Sequence, residues 1–282
     1  MEVIEKEVIY ESKDDVYTLT PLGDIHKGVI HCNEDLLDTE VKKIQSNPLG
    51  LWVGMGDYGD LVVPRDFKRW DGAILAPWMK GHENNIGPTQ LDNIEATLSP
   101  IWSQCIGLIE GNHEGEMEKH NHYSMMEELM KKANTHYKIP YGGVSCFIRL
   151  IFKLKDNTDF REILIHARHG EGAARTSGAR ALAVLRLTQT FVNCHITLMG
   201  HLHGQESPDI PQRLVLRQGK IRSFDTLACM TGAWLKAYAQ GVPPCYLERW
   251  GATPSVMGCP RIKITPYTGE ITLEKSRLTS KL

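Results

Sequence analysis

Cys105-Ile106-Gly107-Leu108-Ile109-Glu110-Gly111-Asn112-His113-Glu114 is the stretch on which the reading of the chain turns. Its first five residues form a short apolar run, the pattern of a buried strand delivering the next residues to a sheet edge. A glycine, an amide, an imidazole and a carboxylate in succession do not suit a core. They suit a turn that points ligands at something charged. Four other short segments share this chemistry: Asp24-Ile25-His26, Gly56-Asp57, His169-Gly170 and Gly200-His201-Leu202-His203.

Each of those segments also comes after an apolar run. Val16 to Thr20 alternates and stops at Pro21, which reads as a strand ending just before Asp24 and His26. Asn33 is placed to cap a helix carrying Leu37, Val41 and Ile44. Leu49 to Val53 is a second buried strand, and Gly54 and Gly56 allow a tight turn from which Asp57 projects. A short helix with Leu91, Ile94 and Leu98 precedes Pro100, and a Met-rich helix around Met126, Leu129, Met130 and Ala133 comes after the central stretch; its methionines read as core filler. Cys146–Leu154 and Glu162–Ala167 read as strands, the second ending at Arg168-His169-Gly170-Glu171. Ser177 is placed to cap a helix with Ala181, Val184, Leu185, Thr188, Phe191 and Val192 on one face. His195–Met199 is a strand leading to Gly200-His201. From there the chain is β-rich, with strands expected around residues 213–217, 227–230 and 261–264.

The gross numbers set bounds. A chain of 282 residues with 41% hydrophobic and 23% charged residues can bury one large α/β core. No repeat, low-complexity tract or linker divides it, so 1–282 is expected to be a single domain, with 61–89 as an insertion near the site and 206–282 completing the second sheet. A net charge of −2 gives no global argument for nucleic acid or a membrane surface. The seven cysteines, at 32, 105, 146, 194, 229, 245 and 259, are odd in number with no CxxC pair, so reduced thiols are expected rather than a disulfide framework or a structural zinc site. The N-terminus lacks the apolar core of a signal peptide, and no run approaches a membrane span. The expected setting is cytoplasmic.

Strand-end placement would bring the five polar segments to one edge, where α/β proteins hold their ligands. The side chains offered are Asp24, His26, Asp57, Asn112, His169, His201 and His203, with His113 beside them. Oxygen and nitrogen donors without a thiolate suit Mn²⁺ or Fe²⁺, with Zn²⁺ as a further candidate. Seven donors exceed the needs of one ion that keeps room for water, whereas two ions sharing a carboxylate use them all. Paired ions are a known solution for phosphoryl transfer, which points to phosphoester hydrolysis.

The five segments, in this order, resemble the motif set of the calcineurin-like metallophosphoesterases over about residues 18 to 205, and Thr231-Gly232-Ala233-Trp234-Leu235-Lys236 is similar in style to phage- and prophage-encoded members. The resemblance implies two mixed β-sheets packed face to face and flanked by helices. It implies that Asp24, His26 and His203 hold one metal, that Asn112, His169 and His201 hold a second, and that Asp57 bridges them. His113 resembles the histidine that contacts the scissile phosphate and assists the leaving group. The implied reaction is direct in-line attack by a metal-bridging hydroxide, without a covalent enzyme intermediate. Two divalent ions, Mn²⁺ first, are the implied cofactors, and Gly111 is read as a backbone bend that lets Asn112 and His113 face different ways.

Other residues invite weaker readings. Arg168 and Glu171 flank His169 and could orient it, a surface ion pair being the plainer alternative. His82 and His120 are candidates for substrate contact only through their position in sequence. Glu114 is given no direct metal role; at most it stabilises the turn or supports a neighbouring ligand. Residues 61–89 interleave cations with Phe67, Trp70 and Trp78; a nucleic-acid groove is one reading and an amphipathic segment with snorkelling cations the plainer one. The expected substrate is a phosphodiester, DNA or RNA foremost, with Arg175, Arg180, Arg186, Arg213, Arg217, Lys220 and Arg222 as candidate phosphate contacts. The alternatives are a phosphomonoesterase or small-nucleotide phosphodiesterase and, last, a non-catalytic scaffold. The sequence leaves the oligomeric state open.

Overall fold

A computed structural model describes residues 1–275 of the chain. In chain order its strands are β1 (Glu2–Tyr10), β2 (Tyr17–Leu22), β3 (Gly50–Met55), β4 (Cys105–Ile109), β5 (Ser145–Leu154), β6 (Phe160–Arg168), β7 (Ile196–Met199), β8 (Arg213–Arg217), β9 (Lys220–Phe224), β10 (Leu227–Met230), β11 (Arg261–Thr265) and β12 (Glu270–Glu274). The helices are α1 (Glu34–Ser46), α2 (Ile86–Leu98), α3 (Asn112–Asn121), α4 (Met125–Ala133), α5 (Ser177–Thr190) and the short α6 (Tyr246–Trp250).

Two mixed five-stranded sheets carry the molecule, one in the order β1-β5-β6-β7-β10 and the other β12-β11-β2-β3-β4. Strands β3, β4 and β7 are buried along their whole length, as strands covered on both faces must be, and this is why they read as unbroken apolar runs. One core cluster draws Leu19, Val53, Ile106 and Ile262 from the second sheet and Ile148, Phe152, Ile165 and Leu198 from the first, so the sheets pack face to face. The outer face of the second sheet (Leu22, Trp52, Leu108) packs on α1, α2 and α4 through Leu37, Ile94 and Leu129. The outer face of the first packs on α5 through Met199, Met230 and Val184. Helix, sheet, sheet, helix: two mixed sheets packed face to face and flanked by helices are the arrangement that the resemblance implied.

The strands β2, β3, β4, β6 and β7 end at the same rim, and the five polar segments leave from those ends. Asn33 caps α1, its side chain accepting the Leu36 N–H at 3.1 Å.

Several expectations need correction. The charged N-terminal residues form β1, pairing in parallel with β5. The strand expected to stop at Pro21 runs on to Leu22. β11 pairs only with Tyr17, Thr18 and Leu19, so the missing N–H of Pro21 falls where no ladder bond on that side is needed. The cap of α5 is Thr176 rather than Ser177. Residues after 206 do not all serve one sheet: β10 joins the first, β11 and β12 the second, and β8–β9 form a separate two-stranded hairpin. With Leu214, Leu216 and Ile221 each at least 70% exposed, that hairpin has alternation but no core to face.

Candidate metal centre

The ligand loops are zipped together by main-chain bonds before any side chain is considered. The N–H of Asp24 donates to the Gly56 carbonyl at 2.9 Å, and those of Ile25 and His26 donate to the Asp57 carbonyl at 2.8 and 3.0 Å. Asp24, His26, Asp57, His201 and His203 all have positive φ, between 49° and 69°. Non-glycine residues adopt this left-handed conformation at a cost, and it persists only where surroundings impose it, commonly at functional sites. Five of the seven residues picked out by motif carry this strain.

The side chains converge in two groups. In the first, Asp24, His26 and His203 meet: His26 Nε2 lies 3.0 Å from His203 Nε2, which lies 3.4 Å from Asp24 Oδ1. In the second, Asn112 Oδ1 lies 2.8 Å from His201 Nδ1 and 3.2 Å from His169 Nε2. Asp57 Oδ2 stands between them, 3.8 Å from His26 Nε2 and 3.2 Å from His169 Nε2. All seven donors therefore face one another in the partition the resemblance implied. Asp24, His26, Asp57, His169 and His203 are buried.

The histidine tautomers suit cation binding. His169 Nδ1 donates to the Met55 carbonyl at 2.8 Å and His201 Nε2 to the Gly172 carbonyl at 3.1 Å, leaving the opposite nitrogen of each as a lone-pair donor facing Asn112. The expected orienting role of Arg168 and Glu171 is not seen. They pair with each other at 3.3 Å on the surface, with Glu171 83% exposed, and the Met55 carbonyl orients His169 instead. His82 is exposed and does not line the site, and His120 pairs with Glu116 at 3.0 Å.

Electrostatics favour a positive occupant. Burial drives the Asp24 carboxyl well above its usual range, opposed chiefly by His169. Asp57 is held well below its usual range: burial opposes ionisation, but the imidazoles of His169 and His113 outweigh it. Burial lowers His26, His201 and His203, keeping them neutral, the form that coordinates metal. His169 is instead raised to about 10, because Asp57 and Asp24 outweigh its burial and favour positive charge there. The two carboxylates and the neutral imidazoles of His26, His201 and His203 would suit divalent cations, with Asp24, His26 and His203 around one position, Asn112, His169 and His201 around another and Asp57 between, and a cation there would displace the proton that the carboxylates favour on His169.

His113 stands apart from both ligand sets. Its Nδ1 donates to the Asp60 carbonyl, and no hydrogen bond among the described residues engages Nε2. A third grouping, His26, Asp60 and His113, brings its donor atoms within 4.8 Å, but that bond to Asp60 commits one of the two His113 nitrogens.

Glu114 takes the turn-stabilising part that was the most expected of it. Its carboxylate accepts the N–H groups of Asp57 at 2.8 Å, Tyr58 at 2.8 Å and Gly111 at 2.9 Å. The last is one half of a capping box on α3, a spacing that could have been read from Gly111 and Glu114. Asp57 Oδ1 in turn accepts the His113 N–H at 2.9 Å. Gly111 itself is not a left-handed bend; its φ is −102°. It is glycine because a Cβ there would sit 2.1 Å from Asp57 Oδ1.

A cavity of about 600 Å³ opens on the centre, lined by Asp57, Asn112, His113, His201 and His203 and walled by Leu235, Leu247, Trp250 and Met257. Lys68 and Arg69, from the 61–89 segment, and Arg249 also line it. The basic residues expected to meet phosphate do not form one track. Arg180 is buried against Glu206 at 2.7 Å, Arg175 lies over the Trp250 ring at 5.3 Å, and Arg213 donates to the Val192 carbonyl at 2.7 Å. Phe67 is 88% exposed, whereas Trp70 and Trp78 pack on the core.

No protein-family profile matches the chain, and no curated protein matches it in sequence. Solved structures resemble it only distantly. A conserved uncharacterized protein, a predicted phosphoesterase from Streptococcus pneumoniae, matches at 14% identity and a TM-score of 0.33, covering 89% of this chain and 84% of the other. Zinc-complexed Vps29 from Entamoeba histolytica matches at 12% and 0.34, covering 91% and 97%. The NAD nucleotidase of Haemophilus influenzae matches at 10% and 0.38, covering 93% of this chain but 49% of that one. At such identities nothing about the site carries over from them.

Proposed function

We propose that this chain is a calcineurin-like metallophosphoesterase, a phosphoester hydrolase working with two divalent metal ions. The observation that carries this is the convergence of seven N and O donors in two sets, with Asp57 Oδ2 between them. Bound ions would neutralise the phosphate and activate water at neutral pH. The residues themselves set the geometry. Glu114 fixes the Asp57 loop against the start of α3, and Asp57 holds the His113 main chain. The bond to the Asp60 carbonyl fixes His113 so that Nε2 is the nitrogen available to meet a departing oxygen.

Phosphodiesters are the proposed substrates, DNA or RNA included; Lys68, Arg69 and Arg249 at the cavity favour a substrate with further negative charge. A second reading, a phosphodiesterase or phosphomonoesterase for small nucleotides, is favoured by the cavity's size, which suits a compact ligand, and by its apolar wall at Leu247, Trp250 and Met257. Hydrolysis of a model diester, a model monoester and single- and double-stranded DNA in Mn²⁺, with a chelator control, separates these. Chelator-sensitive activity on the diester and on DNA supports the nuclease reading, and activity on the monoester alone overturns it. Bound metal with no activity on any of them overturns the enzyme assignment.

A further inference from the structure

Beyond the last ligand segment, the chain carries a further polar group into the metal centre. Tyr246, the first residue of α6, places its hydroxyl 3.0 Å from His203 Nε2 and 3.5 Å from His203 Nδ1. Those two nitrogens are its only hydrogen-bond partners among the described residues. The His26 ring is near two candidate substrate contacts, its centroid 4.6 Å from that of His113 and 6.1 Å from that of Tyr246. Both side chains line the cavity.

The placement is built. His31 Nε2 donates to the Pro243 carbonyl at 2.8 Å, Arg249 pairs with Asp71 at 2.6 Å, and Leu247 is buried. Upstream, the Trp234 N–H donates to the Asp24 carbonyl at 3.1 Å and the Lys236 N–H to the His31 carbonyl at 2.8 Å, tying this part of the chain to the first ligand loop. α6 is thus held against the metal loops from several sides.

His203 Nε2 cannot both hold a cation and accept a proton from the Tyr246 hydroxyl, since one lone pair serves only one purpose. When the first site is filled, the phenol, 39% exposed and facing the cavity, loses this acceptor and is free to donate to another. A phosphate oxygen at the mouth of the same site would provide one. Resting on the phosphoesterase reading above, we propose that Tyr246 is a phosphate-binding residue, donating its hydroxyl proton to a non-bridging oxygen of the substrate phosphate opposite His113.

Calorimetric titration of inorganic phosphate into Mn²⁺-loaded protein tests this, alongside titration of Mn²⁺ into the metal-free chain. Tyr246→Phe should bind Mn²⁺ within about twofold of wild type but inorganic phosphate about tenfold more weakly, the effect of one lost hydrogen bond to a charged group. Rates on a model diester should show the loss in both KM and kcat. Phosphate affinity unchanged in Tyr246→Phe overturns the proposal while the metal centre stands. A tenfold loss of Mn²⁺ affinity also overturns it, making the phenol a metal ligand. Wild-type protein that binds no Mn²⁺ overturns the metal-centre reading, and this proposal with it. Thermal unfolding of the variant near the wild-type temperature excludes a folding defect as the cause of weaker binding.

Discussion

Glu114 shows how much of the site is built from main chain. Its carboxylate accepts three buried N–H groups, two from the Asp57 loop and one from Gly111 at the start of α3. Glu114→Ala leaves those donors without a partner and should cost about 3 kcal/mol or more in urea unfolding, with weakened Mn²⁺ binding because Asp57 is no longer anchored. An unchanged midpoint would show that the clamp is dispensable. His113→Ala addresses chemistry rather than assembly: Mn²⁺ content should be retained while turnover of a diester falls about 100-fold or more. Full turnover with metal in place would remove His113 from the reaction. The seven converging donors were legible in sequence because each stands within two residues of a glycine or another such donor. The three partners of Glu114 were not, because they are amides that every residue carries. Tyr246 was not either: 43 residues separate it from His203, and no local pattern links them.

Among the elements, legibility tracked burial. β3, β4 and β7 are buried on both faces and could be read as apolar runs, and α1 announced itself by its cap and stripe. β1 hid because one face meets water: Glu5 pairs with Arg149 at 2.9 Å and Glu7 with Lys153 at 2.5 Å across the edge, so charge breaks the apolar signal. α3 hid because it has almost no apolar stripe, Met117 being its only buried hydrophobic residue. How α1 sits on the second sheet depends on a contact that no local pattern contains. Arg261 of β11 grips the Glu40 carboxylate with two nitrogens, Nε at 2.7 Å, while Glu40 is buried and Arg261 partly exposed. Arg261→Met leaves that carboxylate, among the described residues, with only Lys43, at 3.4 Å, and the cost, reduced by this second cation and partial solvent access, should be about 1–2 kcal/mol in denaturant unfolding. A change below a few tenths of a kcal/mol would show that the pair is screened.

At the scale of the whole molecule, two sheets share one core, and the later strands divide between them, β10 joining the first before α6 and β11 and β12 joining the second after it. Stability of this assembly should depend on pH through His166 of β6. It is buried between Phe147 and Phe191, and burial first, then Arg168, lowers it to about 4. The folded chain keeps this imidazole neutral where the unfolded chain, with an ordinary histidine near pKa 6.5, takes up a proton. Stability is therefore fully present above about pH 6.5 and is lost as pH falls towards 4, by up to about 3 kcal/mol. His166→Gln should flatten that decline in urea unfolding between pH 7 and 4.5; an unaltered slope would assign it to other groups. No described helix is long and apolar enough to cross a membrane, and all seven cysteines are buried, none of them in a disulfide. The central claim is that Asp57 joins two cation sites. Anomalous diffraction from crystals grown in Mn²⁺ tests it most directly. Two peaks are predicted about 4 Å apart, flanking Asp57 Oδ2, one among Asp24, His26 and His203 and the other among Asn112, His169 and His201. A single peak, or one centred on His26, Asp60 and His113, would contradict it.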